Sequence, residues 1–243
     1  MKITYLGHSG FLVELKDCAF LFDYYNGELP ELSTDTTLYT FVSHSHYDHF
    51  NNEIFSLISK YPNITYILSH DIQPLLTETA ARKKACRHPE IINRIHYMNP
   101  DETQTFPHFI VKTTDSTDIG VSFLVTLTGG KTIFHAGDLN WWTWVKEETE
   151  EEYLAMTKAF RTEVAKLTND HIDLAFLPLD PRQQDRFFWG FHYYMKHLDI
   201  DAAIAMHFWD DASVIDRLFS LECSEDYQDK IHPLRKSADH CIL

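Results

Sequence analysis

Cysteine is sparse and unclustered in this chain. Cys18, Cys86, Cys223 and Cys241 are scattered with no C-x-x-C spacing, which points to reduced thiols in a cytoplasm rather than a disulfide framework. Long apolar runs are missing too. None approaches the ~20 residues of a membrane span, and the opening Ile3-Thr4-Tyr5-Leu6-Gly7-His8 lacks the apolar region of a signal peptide. A soluble, intracellular protein with no membrane partner is expected. Positive charge is scarce: 21 Lys and Arg stand against 36 Asp and Glu, a formal net charge of −15. That argues against a broad phosphate-binding surface, so nucleic acid is not an expected partner. The nearest basic run, Arg82-Lys83-Lys84 with Arg87, reads as the solvated face of a helix. No linker, repeat or low-complexity segment interrupts the sequence, so a single domain over residues 1–243 is expected. The 44% hydrophobic content is enough for a sizeable core.

The most informative segment is His44-Ser45-His46-Tyr47-Asp48-His49. A chance H-x-H-x-D-H in a chain of this composition is roughly a 1-in-200 event, which makes the motif specific. The preceding run, Thr37 to Ser43, reads as a buried strand and delivers the histidines at its C-terminal end. Ligand sites of α/β sheets favour that location. On an extended segment His44 and His46 point to the same side. Asp48 and His49 then turn to a second face, so one loop can serve two neighbouring ions. Imidazole and carboxylate together suit zinc, manganese or iron.

Around this motif the chain alternates strands and helices. Lys2–Leu6, Gly10–Leu15 and Ala19–Asp23 read as a meander. Asn52–Lys60 is helix-like, Ile64–Leu68 a strand and Ile72–Ala85 a helix. Later come strands at Phe109–Thr114, Val121–Thr128 and Lys131–Phe134, the last two joined at Gly129-Gly130. Tyr153, Met156, Phe160, Val164 and Leu167 form the apolar stripe of a long helix whose acidic start, Glu147 to Glu152, suits its dipole. A strand at Ile172–Leu177, a helix at Arg186–Leu198 and a buried strand at Ala202–Met206 follow. Two sheets with helices outside are expected.

Several strands end in metal-capable residues: His135 and Asp138 after the third of these later strands, His207 after the last, and Asp115 and Asp118 after the first. The repetition, alongside the His44–His49 cluster, favours a shared site.

With Ile3-Thr4-Tyr5-Leu6-Gly7-His8-Ser9-Gly10-Phe11 and Phe20-Leu21-Phe22-Asp23, these motifs resemble the metallo-β-lactamase-fold hydrolase superfamily, in particular its ascorbate-lactonase-like branch. The H-x-H-x-D-H motif is matched in full, Gly137-Asp138 matches the bridging carboxylate, and His207 matches the final ligand. The resemblance runs from residue 2 to about residue 210. It implies an α/β fold of the α+β type, a four-layer αββα sandwich. It also implies a first metal on His44 and His46, a second on Asp48, His49 and His207, and Asp138 between them.

One departure from the family pattern concerns a further histidine, expected in the loop that here reads Thr114-Asp115-Ser116-Thr117-Asp118-Ile119-Gly120. Asp118 is the first candidate to replace it, Asp115 the second and His70 a more remote third. An added carboxylate hardens the site and moves it from zinc towards manganese, iron or magnesium, with one or two ions bound. His8 either supports a turn or serves the site, and His135 either packs beneath the site or serves it. Trp141, Trp142 and Trp144 either wall a pocket or belong to the core. Asp180 and Arg182 are candidate contacts for a polar or anionic substrate. The remaining histidines, at 88, 96, 108, 171, 192, 197, 232 and 240, read as surface residues.

The expected function is a metal-dependent hydrolase in which activated water, oriented by the catalytic carboxylates Asp48 and Asp138, attacks a lactone, ester or phosphodiester of a small polar metabolite. The alternatives are a nuclease of the same fold and a metal-binding protein that has lost catalysis. No serine or cysteine lies in a nucleophile-elbow pattern.

Overall fold

A computed structural model describes residues 1–78 and 89–243. The basic run at 82–87, Cys86, His88 and the end of the helix expected to reach Ala85 lie outside the described residues. The chain divides into two compact units, Met1–Asn99 with Leu234–Leu243, and Pro100–Pro233.

With strands numbered in chain order, the first unit holds a seven-stranded sheet. It comprises β1 (Lys2–Gly7), β2 (Gly10–Glu14), β3 (Cys18–Phe22), β4 (Thr37–Val42), β5 (Ile64–Ser69), β6 (Ile95–Met98) and the C-terminal β15 (His240–Ile242), in the order β15-β1-β2-β3-β4-β5-β6. The expected meander is present: β1, β2 and β3 pair antiparallel. Pairing then becomes parallel from β3 to β6. Every residue of β3 is buried, as are the last five of β4. Such strands read as continuous apolar runs rather than alternating ones. Leu21, Leu38, Val42, Ile54, Phe55 and Tyr66 belong to one apolar cluster of this unit, and the rings of Phe22 and Phe41 stack at 4.7 Å.

The second unit carries β7 (Thr103–Phe106), β8 (Phe109–Asp115), β9 (Val121–Leu127), β10 (Thr132–His135), β12 (Leu174–Pro178) and β14 (Ala203–Met206), ordered β14-β12-β10-β9-β8-β7. β7 to β10 pair antiparallel, and β10, β12 and β14 are parallel. A two-stranded parallel ribbon joins β11 (His171–Ile172) and β13 (Asp199–Ile200). The expected single strand at Ile172–Leu177 is therefore split at Asp173. Its carboxylate accepts the Thr132 backbone N–H at 2.7 Å, which draws that residue out of either ladder.

Among the described residues the α-helices are α1 (Gln73–Glu78), α2 (Glu150–Ala165), α3 (Trp189–His197) and α4 (Ser213–Phe219). The segment Asn52–Ser59, expected as an ordinary helix, is 3₁₀, entered through Asn51, whose side chain accepts the Glu53 N–H. The helix expected from Arg186 starts at Trp189, because the 3₁₀ turn Pro181–Arg186 before it holds Gln184 at φ 54°, outside helical geometry. Strands β6, β7 and β15 were not expected from the pattern: they are short and partly polar. Among the described residues no helix is long and apolar enough to cross a membrane.

Candidate metal centre

The site residues of the first unit hang from the ends of β1, β3 and β4. β4 stops at Val42, and Ser43 and His44, both buried, follow at once. β3 ends beside it at Phe22, and Asp23, a fully buried carboxylate with φ 40°, follows. Asp23 organises the loop. One oxygen accepts the Ser43 N–H at 2.7 Å; the other accepts the Ser43 hydroxyl at 2.6 Å and lies 2.7 Å from Nδ1 of His49. Ser43 Oγ is also 3.0 Å from Nδ1 of His44. With the hydroxyl proton directed at Asp23, the network assigns the protons of both rings to Nδ1. Each histidine then presents Nε2 as its ligating nitrogen. A carboxylate holding the far nitrogen is the usual support of a metal-bound imidazole, since it fixes the tautomer and raises basicity.

Within this unit, ligand atoms of His44 and His46 lie within 4.8 Å of each other, and those of Asp48, His49 and His8 do likewise. His46 is exposed, whereas Asp48, His49 and His8 are buried. The loop is tied at its middle by Asp71, which accepts the Ser45 N–H at 2.9 Å. Asp71, rather than the neighbouring His70, is the contribution of that turn. His70 falls in none of the metal-capable groups among the described residues.

His8 follows Gly7, whose φ of +137° suits glycine at this turn. His8 itself takes φ 52°, a left-handed conformation uncommon away from glycine. Its Nε2 is 3.3 Å from Asp48 Oδ2. Burial works to raise the Asp48 carboxyl, but the hydrogen bond from His8 and the charges of His49 and His8 outweigh it. The group is held well below the usual carboxylate range.

In the second unit the same strand-end logic recurs. β10 ends at His135, and Gly137, at φ 54°, turns the chain to present Asp138. His135 packs beneath this turn: the Gly137 N–H donates to its Nδ1 at 3.2 Å, and its ring lies against Phe176. Asp118 is placed beside Asp138, with carboxylate oxygens within 4.8 Å. Thr117 brings it there. Its hydroxyl donates to the Asn140 carbonyl at 2.6 Å and accepts the Asn140 N–H at 2.9 Å. Asp115 points its carboxylate at its own loop, accepting the Ser116 N–H. Of the candidates in that loop, Asp118 is the one among the metal-capable groups.

β14 delivers His207, buried and at φ 63°. Its Nε2 is 3.3 Å from Asp138 Oδ1, and its Nδ1 is 3.0 Å from Asp180 Oδ2. Asp180, at the end of β12, is fully buried and accepts both backbone and guanidinium N–H groups from Arg182. Burial raises its carboxyl, but the hydrogen bonds from His207 and Arg182 prevail and hold it down. Asp180 therefore braces His207 as Asp23 braces His49, a role the sequence reading had not assigned to either aspartate. The signal was a polar residue directly after an apolar strand, the pattern already noted for Asp138 and His207.

The tryptophans divide. Trp141 joins the packing of α2 and α3, stacked on Phe160 and donating to Thr157. Trp142 and Trp144 line a cavity of about 320 Å³ with Asp118, Asp138 and Arg182. The remaining described histidines, at 96, 108, 171, 192, 197, 232 and 240, are exposed or half-buried, as expected.

The first unit thus presents His44 and His49, and the second His207, each with Nδ1 held by a buried oxygen and carboxylates nearby. Residues 2–154 match the family model of a beta-lactamase superfamily domain. The chain belongs to that superfamily. Among relatives of this superfamily member is a UPF0173 metal-dependent hydrolase of Desulforamulus reducens, 31% identical over 149 residues. The match covers 57% of this chain and 62% of that protein, so the chain spans less than two thirds of the relative's length. Two solved structures show the fold. Igni18, described as a novel metallo hydrolase from Ignicoccus hospitalis, superposes with a TM-score of 0.67 at 15% identity, over 99% of this chain and 97% of that one. The metallo-beta-lactamase fold protein YhfI of Bacillus subtilis gives 0.62 at 14% identity, over 99% and 98%. The expected α/β metallo-β-lactamase-like fold is borne out.

Proposed function

We propose that this superfamily member is a metal-dependent hydrolase acting on a lactone, ester or phosphodiester of a small metabolite. The observation that carries the reading is the pair of braced histidines, His49 on Asp23 and His207 on Asp180. The donor set fits a divalent transition metal: imidazole nitrogens with fixed tautomers, and carboxylates, of which Asp48 is held ionised. In this reading His44, His46, Asp48 and His49 of the first unit, and Asp138 and His207 of the second, are the residues that would hold one or two ions. Asp118 stands in for the missing histidine, supported by its position beside Asp138. That extra oxygen donor widens the choice from zinc to manganese or iron.

A bound ion of this kind lowers the pKa of a coordinated water towards ~7 and polarises the bond to be cleaved. The protein's own groups supply position and charge. Asp48, kept ionised by His8, orients water through one oxygen. Asp138 balances positive charge beside His207. Asp180 and Asp23 carry no substrate and keep imidazoles aligned. No covalent protein nucleophile is invoked.

The test is turnover of chromogenic lactones, esters and phosphodiesters by protein prepared without chelator. Hydrolysis of at least one class should disappear on dialysis against chelator and return with zinc, manganese or iron. Activity that survives complete metal removal would overturn the reading, as would a protein with metal bound but no turnover of any of the three classes.

A further inference from the structure

The β1–β2 hairpin closes through His8 and Ser9, between the paired Gly7 and Gly10. Hairpin tips of two residues are ordinarily solvated and take Asn, Asp or Gly where φ is positive. This one departs on both counts. His8 stands at φ 52°, yet it is 3% exposed, and Ser9 is fully buried. Two glycines allow that placement. Gly7 takes φ +137°, and a Cβ at Gly10 would lie 3.1 Å from the Asp23 carbonyl, so the tip sits against the residue that follows β3. A buried imidazole in a left-handed turn costs stability, and backbone strain of this kind clusters at functional sites.

The ring faces the donors of the first unit. His8 Nε2 lies 3.3 Å from Asp48 Oδ2, and ligand atoms of His8, Asp48 and His49 all fall within 4.8 Å of one another. A charge-assisted hydrogen bond from imidazole to carboxylate closes to ~2.7–2.9 Å, and this contact is longer. It matches another spacing. Two donors on one tetrahedral ion, with bonds of ~2.0–2.2 Å, stand ~3.3–3.6 Å apart. His207 Nε2 and Asp138 Oδ1, both candidate ligands in the reading above, show the same 3.3 Å.

The rings agree with the distance. The imidazoles of His8 and His49 have centroids 5.2 Å apart and planes at 86°. Two imidazoles bound through Nε2 to one such ion have centroids ~5 Å apart. His49 is tied through Nδ1 to Asp23, so Nε2 is the nitrogen it offers.

We infer that His8 is a metal ligand, bound through Nε2 beside Asp48 and His49. The first unit then carries two imidazoles and a carboxylate, a set of three protein ligands that leaves a position open. Asp48 stays ionised beside a bound cation, so its part in the reaction is unchanged. The inference rests on the metal-site reading above for Asp48 and His49, and adds His8 to it.

Cobalt(II) is the probe, because each imidazole bound to it through one nitrogen shows its remaining N–H as a strongly shifted, exchangeable NMR signal. Full-length protein with isotope-labelled histidine is loaded with cobalt(II) as the wild type, His8→Asn, His8→Gly and His49→Ala. Asn and Gly both tolerate a left-handed turn, so the hairpin tip is kept. His8→Asn should lack one shifted imidazole signal of the wild type. Its cobalt affinity should fall by more than the ~10–100-fold lost with a supporting partner. In His8→Gly, imidazole added to the solution should restore both affinity and signal.

A His8→Asn protein that keeps every shifted imidazole signal, whatever its affinity, would overturn the inference and leave His8 as a support for Asp48. So would a His8→Gly protein that binds no cobalt and gains none with imidazole. Loss of cobalt in His49→Ala with no change in either His8 variant would contradict the inference while leaving the hydrolase reading intact. A wild-type protein that binds no cobalt would contradict both.

Discussion

At the scale of single residues, the proposed metal site depends on aspartates outside its ligand set, which hold the histidines. Asp23 fixes His49 directly and His44 through Ser43. Replacing it with alanine removes the acceptor of His49 and of the Ser43 hydroxyl that fixes His44, and leaves both imidazoles free to change tautomer. Asp23→Ala is expected to weaken metal binding about 10–100-fold, read by competition with a chromogenic chelator. Unchanged affinity would show that the histidines orient themselves. For His8 the sequence leaves two roles open, support of a turn or service to the site. Its role follows from a left-handed turn that brings its Nε2 to Asp48, and backbone outliers of that kind cluster at functional sites. Cys18 is the opposite case. Burial, then the charge of Asp17, pushes its thiol up to about 11, so it remains a neutral thiol. It should resist iodoacetamide at pH 8 in the folded protein, while the exposed Cys223 is modified; mass spectrometry of the peptides distinguishes them.

At the scale of elements, strand ends carry the site and helix ends carry stability. The capping box of α2 has Thr149 accepting the Glu152 N–H while Glu152 accepts the Thr149 N–H. Thr149→Ala is expected to cost about 1 kcal/mol, seen as a lower denaturant midpoint with unchanged slope. The ribbon of β11 and β13 is clipped by His171, whose two ring nitrogens approach Asp199 at 2.8 Å and Asp201 at 3.3 Å. The Asp199 hydrogen bond, with the charges of Asp201, Asp199 and Asp173, outweighs desolvation and raises the His171 pKa above its ordinary value. A raised folded-state pKa gives stability that is fully present below the unfolded value near ~6.5 and is lost as pH rises through the folded one. His171→Asn should therefore lower the melting temperature at pH 5.5 and have little effect at pH 9. An equal effect at both values would remove the charge from the explanation.

Legibility from sequence follows the same division. The His44–His49 loop was readable because its donors are contiguous and its strand is a plain apolar run. Asp138 and His207 were readable from their strand ends. Asp23 and Asp180 sit at equivalent ends but were not read as braces, because the partner of each is 26 or 27 residues away in the chain, and only parallel strand pairing brings them together. The 3₁₀ form of Asn52–Ser59 and the short strands β6, β7 and β15 were hidden for a related reason: tertiary pairing, not local periodicity, defines them.

At the scale of the whole molecule, the proposed metal-dependent activity draws on seven candidate ligands besides His8, four of them within residues 44–49 and the others at Asp118, Asp138 and His207. The formal charge of −15 suits a protein that attracts cations more readily than polyanions. Elemental analysis of protein purified without chelator is the most direct measurement, made on the wild type and on Asp138→Asn and His49→Ala. The expected result is one or two transition-metal ions per chain in the wild type, with a clear loss in both variants. A wild-type protein carrying no transition metal even after incubation with zinc, manganese or iron, or variants that keep the full complement, would contradict it.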